Sequence, residues 1–263
     1  MSILDQIIQA KQKEVQARKK VFPTAYWEQS PLFARPTVSL KQNLQNSSSG
    51  IIAEHKRRSP SKAVINQQLA VEKVVKGYAE AGACGLSILT DGHFFGGSLD
   101  DLSLARANTS LPVLRKDFII DPYQLIEAKA FGADVVLLIA AVLDRPTIKQ
   151  LSEQAQALGL EVLLEVHNAQ ELEKALMPSL DLIGVNNRNL KTFEVSLETS
   201  QSLAEKIPHS FVKVSESGIH QAEAVRQLQT YGYQGFLVGE NFMKTANPGQ
   251  AAAQFIKSLN HNR

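Results

Sequence analysis

The sequence predicts an α/β fold in which strands and helices alternate as a (β/α)8 barrel, preceded by an N-terminal helical extension. Chain length, a series of short apolar runs and the helical patterns between those runs lead to this prediction. The 263 residues suit a barrel of this kind, which commonly takes about 250 residues as one unit. We therefore expect a single barrel domain over residues 1–263, with residues 1–48 as its extension.

Eight short apolar runs predict the strands. Most are rich in Val, Ile or Leu and nearly continuous, which is typical of parallel strands buried on both faces. Their spacing of about 20 to 35 residues matches the length of a βα unit. The runs are residues 51–53, 85–89, 112–114, 134–139, 161–164, 182–185, 211–214 and 236–238.

Helical patterns fill the intervals between these runs. Val71, Val74 and Tyr78 fall on one face of a helix after the first strand. Asp121 and Pro122 suit the cap and the first turn of another helix. Further start signals are Asn168 with Glu171, and Asn247 with Pro248. Strand and helix thus alternate eight times, which predicts a closed parallel TIM barrel.

An open, doubly wound sheet is the main structural alternative. It usually has fewer strands and often carries a glycine-rich fingerprint in its first turn. The sequence contains no such fingerprint, so the pattern favours the barrel.

The extension before the first run has its own helix signals. Ser2 and Asp5 resemble a capping pair for a helix that carries Ile3, Leu4, Ile7 and Ile8. Prolines then interrupt the segment at Pro23, Pro31 and Pro36. We expect this segment to cover one end of the barrel.

Composition and charge exclude several classes of protein. A hydrophobic share of 44% with 21% charged residues is ordinary for a globular domain. The net charge of +2 does not call for nucleic acid or an anionic membrane as a partner. The lone Cys84 cannot form an internal disulfide, and the first residues lack a signal-peptide pattern. We expect a cytoplasmic protein that neither crosses nor binds a membrane.

Polar residues stand at or just past the ends of the apolar runs. Because strand ends converge at the mouth of a barrel, these side chains are expected to share one cavity. A simpler interpretation makes each of them a strand-end charge that escapes to solvent. The residues are Glu54, Lys56, Lys116, Glu165, Asn186 and Glu216.

Two segments suggest anion binding. The basic run at residues 56–62 could be a nucleic-acid patch, but its place directly after a strand favours an anion-binding loop. Ser217-Gly218 and Gly239-Glu240 follow the last two predicted strands, where backbone amides in tight turns can hold phosphate oxygens. The alternative is that these glycines only close turns.

Six segments of the sequence together resemble the indole-3-glycerol phosphate synthase family. They occur in family order at residues 53–62, 89–98, 113–118, 164–167, 184–190 and 215–219. A helical N-terminal extension is also a family feature. Three positions depart from the family pattern: His55 replaces a common aliphatic residue, Ala63 a frequent glycine, and Glu240 a frequent serine.

The resemblance implies a reaction without redox chemistry. A carboxyphenylamino-deoxyribulose phosphate closes to an indole and loses carbon dioxide and water, as a step of tryptophan biosynthesis. The ketone must be polarised before an aromatic carbon attacks it, and a positioned ammonium can give up a proton there. This chemistry makes Lys116 the expected general acid and Glu165 the expected base, with Lys56 as a second candidate acid or a ligand for the substrate carboxylate.

The resemblance also implies the remaining site residues. The expected catalytic set is Glu54, Lys56, Lys116, Glu165, Asn186 and Ser217. Arg188, Ser59 and Asn186 would position the carboxylate or the sugar hydroxyls, and Glu216 would lie near the sugar or hold a lysine. Ser217, Gly218, Gly239 and Glu240 would line a phosphate cup. Phe94 and Phe95 could pack against the aromatic ring, or simply against the barrel rim.

The sequence gives little support for metals or cofactors. His93, His167 and His220 lack ligand spacing with Cys or carboxylates, and there is no dinucleotide fingerprint. We expect a small phosphorylated substrate as the partner, no cofactor, and a monomer. Two alternative functions are a related barrel isomerase or lyase, and a non-catalytic barrel that binds phosphorylated ligands.

Overall fold

The computed structural model describes residues 2–190 and 192–260, and its centre is a closed barrel of eight parallel strands. Neighbouring strands pair in sequence order, and the pairing of Ile51 with Phe236 closes the ring. The strands are β1 Ile51–His55, β2 Gly85–Leu89, β3 Val113–Lys116, β4 Val135–Ile139, β5 Glu161–Val166, β6 Leu182–Asn186, β7 Val212–Glu216 and β8 Gly235–Val238. The predicted (β/α)8 barrel is confirmed, and the open sheet is wrong.

Helices alternate with the strands around the outside of the barrel. They are α1 Ile3–Val21, α2 Thr24–Trp27, α3 Leu40–Gln45, α4 Val71–Glu80, α5 Gly92–Phe95, α6 Leu99–Ala107, α7 Tyr123–Ala130, α8 Arg145–Ala157, α9 Ala169–Ala175, α10 Glu198–Leu203, a 3-10 helix Ala204–Lys206, α11 Ala222–Thr230, α12 Glu240–Met243 and α13 Pro248–Asn260. The Asn168 side chain caps α9 as predicted, by accepting from the Glu171 amide. Helix α7 begins at Tyr123, with Pro122 as its cap, one residue later than predicted. No helix among the described residues is long and apolar enough to span a membrane.

Apolar side chains fill both faces of the barrel wall. Ile52, Leu114 and Leu163 belong to the cluster inside the barrel, and each is fully buried. Ile51 and Val113 belong to the larger cluster between strands and helices. Both faces of the strands are therefore buried up to the cavity at their carboxyl ends, which explains the near-continuous apolar runs in the sequence.

The N-terminal extension reaches both ends of the barrel. Ser2 and Asp5 form the predicted capping box at the start of α1, and Ile3 and Ile7 of that helix line the cavity at the carboxyl ends of the strands. At the opposite end, Leu40 of α3 is fully buried in the interior cluster. A side chain on Gly85 would collide with Leu40, since a Cβ there would lie 2.5 Å from its Cδ1. The extension was expected to cover one end of the barrel, but its residues pack at both ends.

Candidate active site

A cavity opens at the carboxyl ends of the strands, and the polar strand-end residues face it. Five of the eight strands, β1, β3, β5, β6 and β7, run one or two residues beyond the predicted apolar runs, and these extra residues include Glu165 and Lys116. Because alternate residues of a strand point to the same face, Glu54 and Lys56 also project together into the cavity. The predicted site residues on its wall are Glu54, Lys56, Ser59, Phe95, Lys116, Glu165, Asn186, Arg188, Glu216, Ser217, Gly218, Gly239 and Glu240.

Lys116 lies between two carboxylates. Its Nζ is 3.1 Å from Oε2 of Glu165 and 2.6 Å from Oε2 of Glu216. Burial lowers the pKa of Lys116, but the carboxylates of Glu216 and Glu165 outweigh it, so the pKa lies above its ordinary value. The lysine is therefore a charged ammonium with a proton to give.

The pKa values of the two carboxyl groups shift in opposite directions. Burial raises the pKa of Glu165, but the charges of Lys116 and His167 lower it by more, so Glu165 stays ionised. At Glu216 burial dominates and raises the pKa to about 7, against the lowering effect of Lys116. Within the described part of the chain, Oε1 of Glu216 has no hydrogen-bond partner. Carboxyl groups whose pKa values are driven apart suit different roles in one site.

Glu54 and Lys56 form a second ion pair across the cavity wall. Nζ of Lys56 lies 2.7 Å from Oε1 of Glu54, and the Ser87 hydroxyl donates to the other carboxylate oxygen over 3.2 Å. Burial raises the pKa of Glu54, but Lys56 and then Lys116 lower it by more. Glu54 therefore stays ionised, and its carboxylate fixes the position of the Lys56 side chain.

The turns after β7 and β8 form a concave backbone surface beside these charges. Ser217 and Gly218 have positive φ angles of 68° and 79°. This conformation suits glycine but strains a serine, and strained residues cluster at functional sites. Gly239 is needed for space, because a Cβ there would lie 2.4 Å from Oε1 of Glu54. Glu240 begins α12 and pairs with Lys62 at 2.9 Å. Successive turn amides of this kind suit a phosphate group.

The end of β6 and the loop after it bring Asn186 and Arg188 to the cavity. Oδ1 of Asn186 accepts a hydrogen bond from the Arg188 amide over 3.0 Å. Nη1 of Arg188 donates to the Phe193 carbonyl, which keeps its side chain along the rim. Ser59 reaches the same rim from the loop after β1, which is closed by two backbone hydrogen bonds between Ser59 and Lys62.

Only one of the two predicted phenylalanines faces the cavity. Phe95 lines it, with its ring 5.9 Å from that of Phe118. Phe94 does not line it and instead packs edge-on against His93 at 4.6 Å. The prediction for Phe94 is corrected because successive residues of the short helix α5 point in different directions, so one turn can aim only one ring inwards.

A buried ion cluster beside the cavity was not predicted from the sequence. Nζ of Lys11 lies 3.1 Å from Oδ2 of Asp91 and 3.0 Å from Oδ1 of Asp117. The Lys11 side chain is only 1% exposed. A signal did exist, because Lys11 stands one helical turn from both Ile7 and Val15, on the apolar face of α1.

Comparison with known proteins agrees with this geometry. The family model described as "Indole-3-glycerol phosphate synthase" matches residues 4–255. The chain belongs to the indole-3-glycerol phosphate synthase family. Indole-3-glycerol phosphate synthase from Bacteroides thetaiotaomicron is 49% identical over 257 residues, which are 98% of each chain. The protein of that name from Albidiferax ferrireducens is 44% identical, over 97% of this chain and 98% of its own.

Membership of the indole-3-glycerol phosphate synthase family settles the class of chemistry. The chain is an enzyme, a decarboxylating lyase of tryptophan biosynthesis that acts on a small phosphorylated substrate. More distant solved structures share the fold alone. Thiamine phosphate pyrophosphorylase from Pyrococcus furiosus has a TM-score of 0.61 at 18% identity, covering 84% of this chain and all (100%) of its own. A structure described as "Native KDPGal structure" has a TM-score of 0.58 at 14% identity, over 81% and 94%.

Proposed function

We propose that this cavity closes a carboxyphenylamino-deoxyribulose phosphate to indole-3-glycerol phosphate with Lys116 as acid and Glu165 as base. One observation carries the proposal: the Lys116 ammonium lies 3.1 Å from Glu165 in the cavity that also contains the turns after β7 and β8. An acid, a base and an anion site in one cavity are what ring closure on a phosphorylated ketone needs.

Lys116 acts first, at the ketone. The aromatic carbon that bears the carboxylate attacks the ketone carbon, and Lys116 donates a proton to the ketone oxygen, which becomes a hydroxyl. The carboxylate then leaves as carbon dioxide, and its bonding pair restores the aromatic ring. The charged, largely buried ammonium also stabilises the negative charge that develops on the oxygen before proton transfer is complete.

Dehydration completes the indole. The hydroxyl takes a proton from a lysine and leaves as water, while Glu165 removes a proton from the new five-membered ring. The enzyme gives two protons to the substrate, and Glu165 takes one back. Each cycle therefore consumes one proton from solvent, because a substrate carboxylate leaves as neutral carbon dioxide. Lys116 and Lys56 both face this space. A single turnover of Lys56→Met identifies the acid of this step: the cyclised alcohol accumulates if Lys56 is that acid, and goes on to indole-3-glycerol phosphate if Lys116 is.

The other residues hold the substrate. Lys56, fixed by Glu54, binds the substrate carboxylate, and Asn186, Arg188 and Ser59 donate hydrogen bonds to the carboxylate and the sugar. The phosphate binds the backbone amides of the turns at residues 217–218 and 239–240. Phe95 packs against the aromatic ring. Glu216 holds Lys116 in place through its 2.6 Å contact.

A direct assay tests the proposal. The purified protein is mixed with the carboxyphenylamino-deoxyribulose phosphate, and indole fluorescence is followed together with carbon dioxide release. Equal amounts of indole-3-glycerol phosphate and carbon dioxide are expected. Binding without turnover would instead support the non-catalytic barrel, and turnover of a different phosphorylated substrate in competition assays would support the related isomerase or lyase.

We propose further that the enzyme works as a cytoplasmic monomer in one barrel domain. The buried, unpaired Cys84 is consistent with a reducing compartment. The cavity is lined by residues of a single chain, so the proposed chemistry needs no second copy. Light scattering after size-exclusion chromatography is expected to give the mass of one chain, and a mass twice as large would overturn the monomer.

A further inference from the structure

A histidine stands directly behind the proposed base. Glu165 and His167 are two residues apart at the end of β5 and therefore lie on the same face of the strand. Nε2 of His167 is 3.4 Å from Oε1 of Glu165. The imidazole is not on the wall of the cavity, and its side chain is only 10% exposed. It can therefore act on Glu165 without touching the substrate.

Glu171 fixes the proton on the other ring nitrogen. Oε2 of Glu171 accepts from the His167 amide over 2.8 Å and lies 3.1 Å from Nδ1 of the same residue. Asn168 holds the second carboxylate oxygen at 2.8 Å. Because a carboxylate only accepts hydrogen bonds, Nδ1 must carry a hydrogen. Nε2 is then left to face Glu165.

The contact between His167 and Glu165 requires a second proton on the imidazole, at Nε2. Nε2 of His167 is buried and has no hydrogen-bond partner among the described residues. If it were unprotonated, it would lie 3.4 Å from a carboxylate oxygen as a second acceptor, and two buried acceptors so close together are unfavourable. A proton on Nε2 makes the ring an imidazolium and turns this contact into an attraction between opposite charges.

We propose that His167 is a positioning residue whose imidazolium keeps Glu165 ionised after Lys116 has given up its proton. The inference rests on the proposed roles of Lys116 and Glu165. Lys116 is the nearer cation to Glu165, but it becomes neutral when it protonates the ketone. Its loss of charge would make Glu165 a poorer proton acceptor for the final step unless a second cation stayed in place.

The charges around His167 favour its protonated form. It faces Glu171 on α9, Glu165 on β5 and Glu216 on β7, while Lys116 of β3 contacts two of these carboxylates. Burial lowers the pKa of His167, but the hydrogen bond to Glu171 and the charge of Glu165 raise it by more, so the pKa lies above its ordinary value. His167 in turn lowers the pKa of Glu165, second among its charged neighbours to Lys116.

The test is the pH profile of the single-turnover rate in His167→Asn. Asparagine can still donate to Glu171 from the place of Nδ1, but it carries no charge. Without the imidazolium, the pKa of Glu165 rises, so the acid limb of the profile is expected to move up by about one pH unit. The rate below this limb then falls about tenfold, the difference narrows at alkaline pH, and KM stays within about twofold.

Two further variants and a control complete the experiment. Glu171→Gln leaves the imidazole in place but removes a charge that raises its pKa, so a smaller shift in the same direction is expected, even if His167→Asn fails to fold. The exposed His209, changed to Asn, should leave the profile unchanged. An acid limb that stays in place in folded His167→Asn and in Glu171→Gln would overturn the inference. If the wild type itself forms no indole, the proposed function fails instead.

Discussion

Nζ of Lys11 lies 3.0 Å from Oδ1 of Asp117, the residue that directly follows Lys116. This contact joins the N-terminal helix α1 to the strand that carries the proposed acid. Lys11 also contacts Asp91, after β2, at 3.1 Å. Burial lowers the pKa of Lys11, but the charges of Asp117 and Asp91 raise it by more, so the pKa lies above its ordinary value and Lys11 stays charged. Its ion pairs therefore anchor the helix.

Lys11→Met should destabilise the protein strongly. Methionine fills a similar space but leaves Asp91 without its cation and Asp117 with Arg115 alone. Breaking a buried ion pair in this way costs about 3–5 kcal/mol. KM should rise as well, because Ile3 and Ile7 of the same helix line the cavity. Urea unfolding measures the first effect and steady-state assays the second. The exposed Lys13 provides the control, Lys13→Met. Equal unfolding midpoints for the two variants would show that the cluster does not anchor α1.

Lys116→Ala should leave the fold intact and remove most turnover. Loss of a positioned general acid lowers kcat by about 10²–10⁴-fold, and Glu165 and Glu216 also lose their shared cation. Circular dichroism checks the fold, and indole fluorescence measures turnover. Lys149→Ala, at an exposed ion pair on α8, is the matched control. Indole formation near the wild-type rate in Lys116→Ala would refute its assignment as the acid.

The fold was largely predictable because burial on both faces of a parallel strand leaves a continuous apolar run. Strand ends were less predictable. At β5 the backbone pairing continues through Glu165 to Val166, although a charged residue interrupts the apolar run. The packing of α3 against the amino ends of the barrel could not be predicted, because Leu40 and Leu44 stand in a short segment without a helical repeat long enough to recognise.

Part of the site was predictable from residue type and place alone. Strand-end lysines and glutamates must converge at a barrel mouth, and Lys116 and Glu165 do. Which of Phe94 and Phe95 points inwards depends on the exact start of one helical turn, which sequence patterns do not fix. The Lys11 cluster was missed because a lysine on an apolar helix face is usually assumed to reach solvent.

Glu240→Ser should improve substrate binding. Glu240 places a carboxylate at the rim of the proposed phosphate cup, where Lys62 pairs with it at 2.9 Å. Removing this charge reduces repulsion of the phosphate and frees Lys62, so KM should fall about two- to fivefold with kcat unchanged. Lys62→Ser removes the opposite charge and should raise KM. Both effects should shrink at high salt because the pair is partly exposed. Equal KM values for the two variants would contradict this electrostatic role.

His55→Leu should protect the protein against acid. His55 is buried, and its Nε2 has no hydrogen-bond partner in the residues that the structure describes. Burial together with Arg57 lowers its pKa from 6.5 to about 4. Because the unfolded chain binds this proton at a higher pH than the folded protein does, His55 makes stability fall as pH drops from 6.5 towards about 4. The loss between about pH 7 and about pH 5 should be about 2 kcal/mol.

Leucine at this position cannot take up a proton, so His55→Leu should not show this part of the fall in the free energy of unfolding at acid pH. It also removes the unpaired Nε2, so the variant should be at least as stable as the wild type at neutral pH. Free energies of unfolding from denaturant titrations at several pH values measure both effects. His209→Leu, at an exposed position, should follow the wild type. If the wild type and His55→Leu lose stability in parallel as pH falls, the acid sensitivity must arise at other groups, such as the carboxyl groups whose pKa values the fold lowers.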